Sequence, residues 1–139
     1  MVSYMKDYRR LFDMSYQRAI SPNYEIFFKH FYDKLISSDA NIAVLFSNTD
    51  MDRQFKMLMQ SMTHIISFAA TMESNEEINR IAELHGKDNL KISTEIYDLW
   101  LECLIDTVRE HDPEFDHQIE TAWRVTMSPG LEYMKSFCK

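Results

Sequence analysis

The sequence predicts an all-α protein of one domain, and three observations carry that expectation. The 139 residues fit a single domain with one core of its own, and 45% of them are apolar. Only 2 glycines and 3 prolines occur, which leaves little material for the tight turns of an all-β fold. Apolar residues recur at helical spacing in successive windows, each opened by a capping signal.

Residues 3–19 carry Tyr4, Tyr8, Leu11, Phe12 and Tyr16 on one face of a first helix. "SPNYEIFFKHFYDKLI" then predicts a second, with Ser21 as N-cap and Pro22 at the first helical position. Its stripe holds Ile26, Phe27, His30 and Phe31. "SSDANIAVLF" reads as a short turn of helix that runs into an irregular corner at Phe46. A long helix follows, capped by Thr49 or Asp50, with Gln54, Leu58, Ser61 or Met62, and Ile65 inward. "SNEEINRIAELHG" pairs Ser74 with Glu77 as a capping box. Its inner face is Ile78, Ile81, Leu84 and His85, and Gly86 suits the C-terminus. From Ser93 to Glu110 a strong helix carries Ile96, Tyr97, Trp100, Leu101, Leu104 and Val108. Asp112 and Pro113 are expected to open the last helix, with Ile119, Trp123 and Met127 inward. Pro129 and Gly130 predict that this last helix is kinked or broken. No repeat or linker divides residues 1–139.

Composition removes several function classes. A net charge of −7 argues against a nucleic-acid surface, which needs clustered Lys and Arg. No apolar run approaches the roughly 18 residues that span a bilayer. "MVSYMKDYRR" lacks the apolar stretch of a secretory signal. Cys103 and Cys138 show no zinc-type spacing, so free thiols in a reducing cytoplasm are expected. The 10 methionines and the 9 Phe and 7 Tyr residues point to a large, adaptable apolar interior.

Chemistry-bearing patterns are few. His30, His64, His85, His111 and His117 form no His-Glu-x-x-His pattern and no paired-ligand spacing. "GKDNL" lacks the glycines of a phosphate loop, and no Gly-x-Ser-x-Gly elbow occurs. His85 stands apart because it continues the apolar face of Ile78 and Ile81 rather than the polar face of Glu76, Asn79, Arg80 and Glu83. Three roles fit such a residue: a satisfied core histidine, a cation at a helix C-terminus, or a ligand to a cofactor.

The order of these elements resembles the globin fold. "HFYDKLI", "ANIAVLF", "RQFKMLMQSM", "ELHG", "EIYDLWLECL" and "AWRVTMSPGLEYM", in that order and spacing, resemble bacterial single-domain globins, relatives of the haem domain of flavohaemoglobins. The resemblance runs from about residue 20 to the end of the sequence and extends more weakly over the first helix. It implies haem b as cofactor, with His85 as the proximal ligand to iron. The second ring nitrogen of His85 is then expected to donate to a backbone carbonyl or another acceptor. Phe46 matches the corner phenylalanine that packs on the haem, and Leu58, Ile81 and Tyr97 join it as cofactor contacts. Tyr32 and Gln54 match the two polar positions that face the bound gas, with Leu58 beside them. Flavohaemoglobins also use a late-helix glutamate on the proximal histidine; here the equivalent place falls near Cys138, and Glu132 is the only acid beyond Pro129.

The implied function is reversible binding of dioxygen, or of another diatomic gas such as nitric oxide, by a cytoplasmic protein without nucleic-acid or membrane partners. One alternative is a nitric oxide dioxygenase served by a separate reductase, since 139 residues leave no room for a flavin or nicotinamide domain. Others are a gas sensor acting through a partner protein and a helical protein that has lost its haem. In a further variant Tyr32, Gln54 or His64 fills the sixth iron position.

Overall fold

The structure, a computed structural model, describes residues 2–86 and 92–138, with side chains from Asp7 onward. Seven helices run in chain order: α1 (Val2–Ala19), α2 (Tyr24–Ser38), α3 (Ala40–Leu45), α4 (Met51–Thr71), α5 (Glu76–His85), α6 (Thr94–His111) and α7 (His117–Lys135). A 3-10 turn, Ser136–Cys138, ends the described chain. No strand occurs among the described residues, as the scarcity of turn formers predicts. The side chain of Tyr4 and the turn at 87–91 lie outside the described residues.

Helix starts follow the side chain that reaches an amide. Asn23, not Ser21, caps α2 by accepting from the Ile26 N–H at 3.1 Å. Pro22 therefore precedes the cap rather than opening the helix. Asn75, not Ser74, caps α5, accepting from the Ile78 N–H at 2.9 Å. Asp50 caps α4, as expected, through the amides of Asp52 and Arg53. Asp112 ends α6 instead of starting α7; Asp116 performs the latter, accepting from the Ile119 N–H at 2.8 Å. In each case the carboxylate or amide oxygen satisfies an amide that the helix leaves without a partner.

The core is assembled from the expected faces with two adjustments. Phe27, Phe28, Phe31 and Tyr32 bury from α2, whereas Ile26 is 48% exposed. From α5, Ile78 and Ala82 bury fully, and Leu84 lies at the surface, 48% exposed. At 100° per residue Leu84 falls well off the line joining Ile78, Ala82 and His85. α4 contributes Phe55, Leu58, Met62, Ile65 and Phe68, and α7 contributes Ile119, Trp123 and Met127.

α7 is continuous through Pro129, so of the expected kink or break the break does not occur. Close packing against α4 explains Gly130: a Cβ there would lie 3.0 Å from Ile65 Cγ2 and 3.3 Å from Ile65 Cα. The helices pack backbone to side chain at this point, and the tertiary contact holds the proline-bearing turn helical. Gly86 has φ −73°, so it is not the left-handed cap its position suggested. It is glycine because a Cβ would stand 2.9 Å from the Phe137 carbonyl oxygen. That contact brings the end of the chain beneath the end of α5.

A buried polar cluster ties three helices together. The Ser15 hydroxyl donates to Asp112 at 2.7 Å, and Trp123 Nε1 donates to the Ser15 oxygen at 2.9 Å. Arg18 donates to both Asp112 oxygens, at 2.6 and 3.0 Å. Asp112 is 2% exposed. Burial pushes its carboxyl pKa up, but bonds from Arg18, Ser15 and the Glu114 amide outweigh that and hold it below the usual carboxylate value.

Candidate functional site

A cleft opens between α2, α4, α5 and α6, floored by α7. About 860 Å³ of empty space lies between its walls, the open mouth included. No Asp, Glu, Lys or Arg is among its described lining residues. Such an apolar hollow with a few convergent polar groups is the usual form of a cofactor site.

One wall is the end of α5. His85 is the last residue of that helix, and its carbonyl accepts the Ile92 N–H at 2.9 Å. Its imidazole borders the cleft, edge-on to the Tyr97 ring at 6.3 Å between centroids. Burial lowers the His85 pKa below the ordinary imidazole value, so the ring is neutral at physiological pH. Among the described residues the expected acceptor for its second nitrogen is not found: His85 Nδ1 is buried with no hydrogen-bond partner there. The Tyr97 hydroxyl is likewise buried and unpartnered, and burial together with nearby Cys138 raises its pKa strongly. Glu132, the late-helix acid, is exposed and paired with Lys135. Among the described residues no carboxylate bonds to His85 Nδ1.

The opposite wall is α2 and α4. Gln54 Nε2 donates to the Tyr32 oxygen at 3.1 Å. Tyr32 is 3% exposed, and burial raises its pKa to about 12, against the opposing effect of the Gln54 bond. Its ring stacks on Phe55 at 5.7 Å and meets Phe46 edge-on at 5.4 Å. Because the Tyr32 oxygen already accepts from Gln54, its own proton remains free for another acceptor.

Six of the seven expected site residues therefore line one cleft: His85, Tyr32, Gln54, Phe46, Leu58 and Tyr97. The seventh, Ile81, is half-buried against the core and is not in the lining. His64 is also absent from it and lies near Asn75 instead, 3.4 Å from the amide nitrogen. Leu35, Ile42, Met57, Leu131 and Met134 complete the wall without having been singled out; apolar residues at helical spacing carry no mark that separates core from cleft. The fold also joins two histidines that their positions in sequence gave no reason to pair: His30 Nδ1 and His111 Nε2 are 2.7 Å apart.

Comparison with known proteins agrees with this geometry. A search of curated proteins finds no match. Among solved structures, the chain resembles a protein from Pseudomonas aeruginosa PAO1 described as structurally highly homologous to a human hemoglobin. The two are 29% identical, with a TM-score of 0.86 over 95% of this chain and 99% of the other. Residues 19–129 match the globin family, a span that holds every described lining residue of the cleft except Leu131 and Met134. The chain belongs to the globin family.

Proposed function

We infer that this globin binds haem in the cleft and reversibly binds a diatomic gas there, with dioxygen as the leading ligand and nitric oxide the next. The observation that supports this reading is the opposition of two walls: a neutral, half-buried His85 lies across from a Tyr32–Gln54 donor pair in an apolar space whose described lining carries no charge. The residues present fit the group. His85 offers one ring nitrogen to iron while Nδ1 keeps its proton, and Phe46, Leu58 and Tyr97 supply apolar contact for the macrocycle. Haem, when bound, supplies an iron centre that holds a diatomic ligand reversibly. Haem b is proposed because the sequence has no Cys-x-x-Cys-His tether.

The chain's own residues set the selectivity. With its pKa near 12, Tyr32 keeps its proton at physiological pH, and Gln54 orients it by donating to its oxygen. A fixed donor in a dry pocket favours a polar, partly negative ligand over an apolar one. On the other side, Nδ1 of His85 meets no carboxylate among the described residues. Kinship with single-domain relatives of the flavohaemoglobin haem domain is part of this reading, as is a reducing cytoplasmic setting for the free thiols Cys103 and Cys138.

Visible spectra of the purified protein, titrated with haem in ferric and ferrous states and then exposed to oxygen, test the proposal. One haem per chain and a reversible oxygen-dependent change are expected; no Soret band after haem addition would refute it. Sustained nitrate production with an added reductase would move the assignment to nitric oxide dioxygenation.

A further inference from the structure

Away from the cleft, α2 and the end of α6 bring together three side chains of ligating type. His30, Glu110 and His111 offer ligand atoms that all lie within 4.8 Å of one another. The two imidazoles face each other, His30 Nδ1 to His111 Nε2 at 2.7 Å, from positions 81 apart in sequence. His111 is held in place on its other side by the Phe27 ring, edge-on at 5.4 Å between centroids. It is also the last residue of α6, where the helix dipole favours positive charge.

We propose that His30, Glu110 and His111 form a surface site for a borderline divalent cation of the zinc type, holding it through two imidazole nitrogens and one carboxylate oxygen with water in the fourth position. Two nitrogens and a carboxylate match the preference of zinc and copper rather than that of calcium or magnesium. Metal–nitrogen bonds of about 2.0–2.1 Å at a tetrahedral angle separate the two nitrogens by roughly 3.3 Å. The pair therefore has to open by about half an ångström, within the reach of side-chain rotation. In the metal-free protein one imidazole N–H donates to the other ring. On binding, the donating ring moves its proton to its opposite nitrogen, where the accepting ring already carries its own; both facing lone pairs then turn to the ion, and no proton is released. Lys34 holds the Glu110 carboxylate at 2.6 Å and is the cation that the metal must displace.

The site would join α2, two residues before Tyr32, to the end of α6, and it does not depend on the haem assignment. The test is competition between the full-length, haem-supplemented protein and a chromophoric chelator for zinc. One equivalent of zinc is expected to bind. His30→Ala and His111→Ala should each weaken binding by about 100-fold, and Glu110→Gln, a change at an exposed position, by about tenfold. Lys34→Ala should tighten it, an effect that a purely structural role for the pair would not produce. Binding no tighter than that of the His30→Ala/His111→Ala double variant would overturn the site, as would a loss that instead follows His64→Ala or His117→Ala. Helicity measured alongside separates lost ligation from lost folding, and Glu110→Gln keeps the proposal testable if the histidine variants misfold.

Discussion

Two buried polar clusters in this molecule are finished to different degrees. Around Asp112 every strong group is paired: Arg18 and Ser15 donate to the carboxylate, and Trp123 donates to Ser15. In the cleft one wall is paired, Gln54 to Tyr32, while on the other His85 Nδ1 and the Tyr97 hydroxyl have no partner among the described residues. A buried polar group left without a hydrogen bond costs about 1–3 kcal/mol. The first cluster stabilises the helix packing of α1, α6 and α7. The second retains unpaired groups where a functional cofactor would sit, and such groups in a native fold call for an explanation beyond stability.

The contrast can be broken most severely at Asp112. Asp112→Ala removes the acceptor of the Ser15 hydroxyl and leaves the Arg18 guanidinium with only its longer contact to Glu114, and it should destabilise the fold by about 3 kcal/mol in denaturant unfolding. The haem-binding stoichiometry of the folded fraction should not change. In the wild type this carboxylate contributes stability that is present above its unfolded pKa and is lost as pH falls through its lower folded value. The steep acid limb below about pH 4 should accordingly flatten in the variant.

Tyr32→Phe ranks next. It removes the donor while keeping the ring against Phe46 and Phe55, and it should raise the rate of oxygen dissociation by about tenfold, or about 1.4 kcal/mol. An unchanged rate in stopped-flow measurement would remove Tyr32 from the ligand-facing role. Its pKa also fixes the sign of an alkaline effect. The phenol titrates near 12 when folded and near 10 when unfolded, so stability is complete below pH 10 and declines as pH rises toward 12. Tyr32→Phe should decline less over that range.

Tyr97→Phe should have the smallest effect, and one of opposite sign. Deleting a hydroxyl with no partner is expected to leave haem-free stability unchanged or to raise it by about 1 kcal/mol. A loss comparable to that at Asp112 would mean the hydroxyl is satisfied after all, and the contrast between clusters would fail.

Much of this was legible in the sequence because the signals are local. Helical spacing placed Phe31, Leu58, Met62, Leu104 and Trp123 in the core, and the corner at Phe46 and the histidine at the end of α5 stand where the pattern put them. Cap positions were less legible because neighbouring polar residues compete. Ser21 against Asn23, and Ser74 against Asn75, were resolved by which oxygen reached the amide two or three residues ahead. Asp112 was misplaced for a different reason: its partners Ser15 and Arg18 lie more than 90 residues away, and no local pattern announces them. The same non-locality hid the His30–His111 pair. Pro129 predicted a kink or a break because local propensity disfavours helix there, and with Gly130 packed on Ile65 the helix runs on unbroken. The cleft's polar residues were found through the family resemblance; helical spacing alone left His85 undecided between core and ligand.

The central claim is that His85 is the protein's bond to iron, and a cavity experiment tests it most directly. In His85→Gly the helix end is kept while the imidazole is removed, and free imidazole can enter the space left behind. The account predicts that the variant loses most of its haem affinity, and that added imidazole restores both binding and the ferrous spectrum of the wild type. Haem binding undiminished in His85→Gly, with a spectrum indifferent to imidazole, would contradict it.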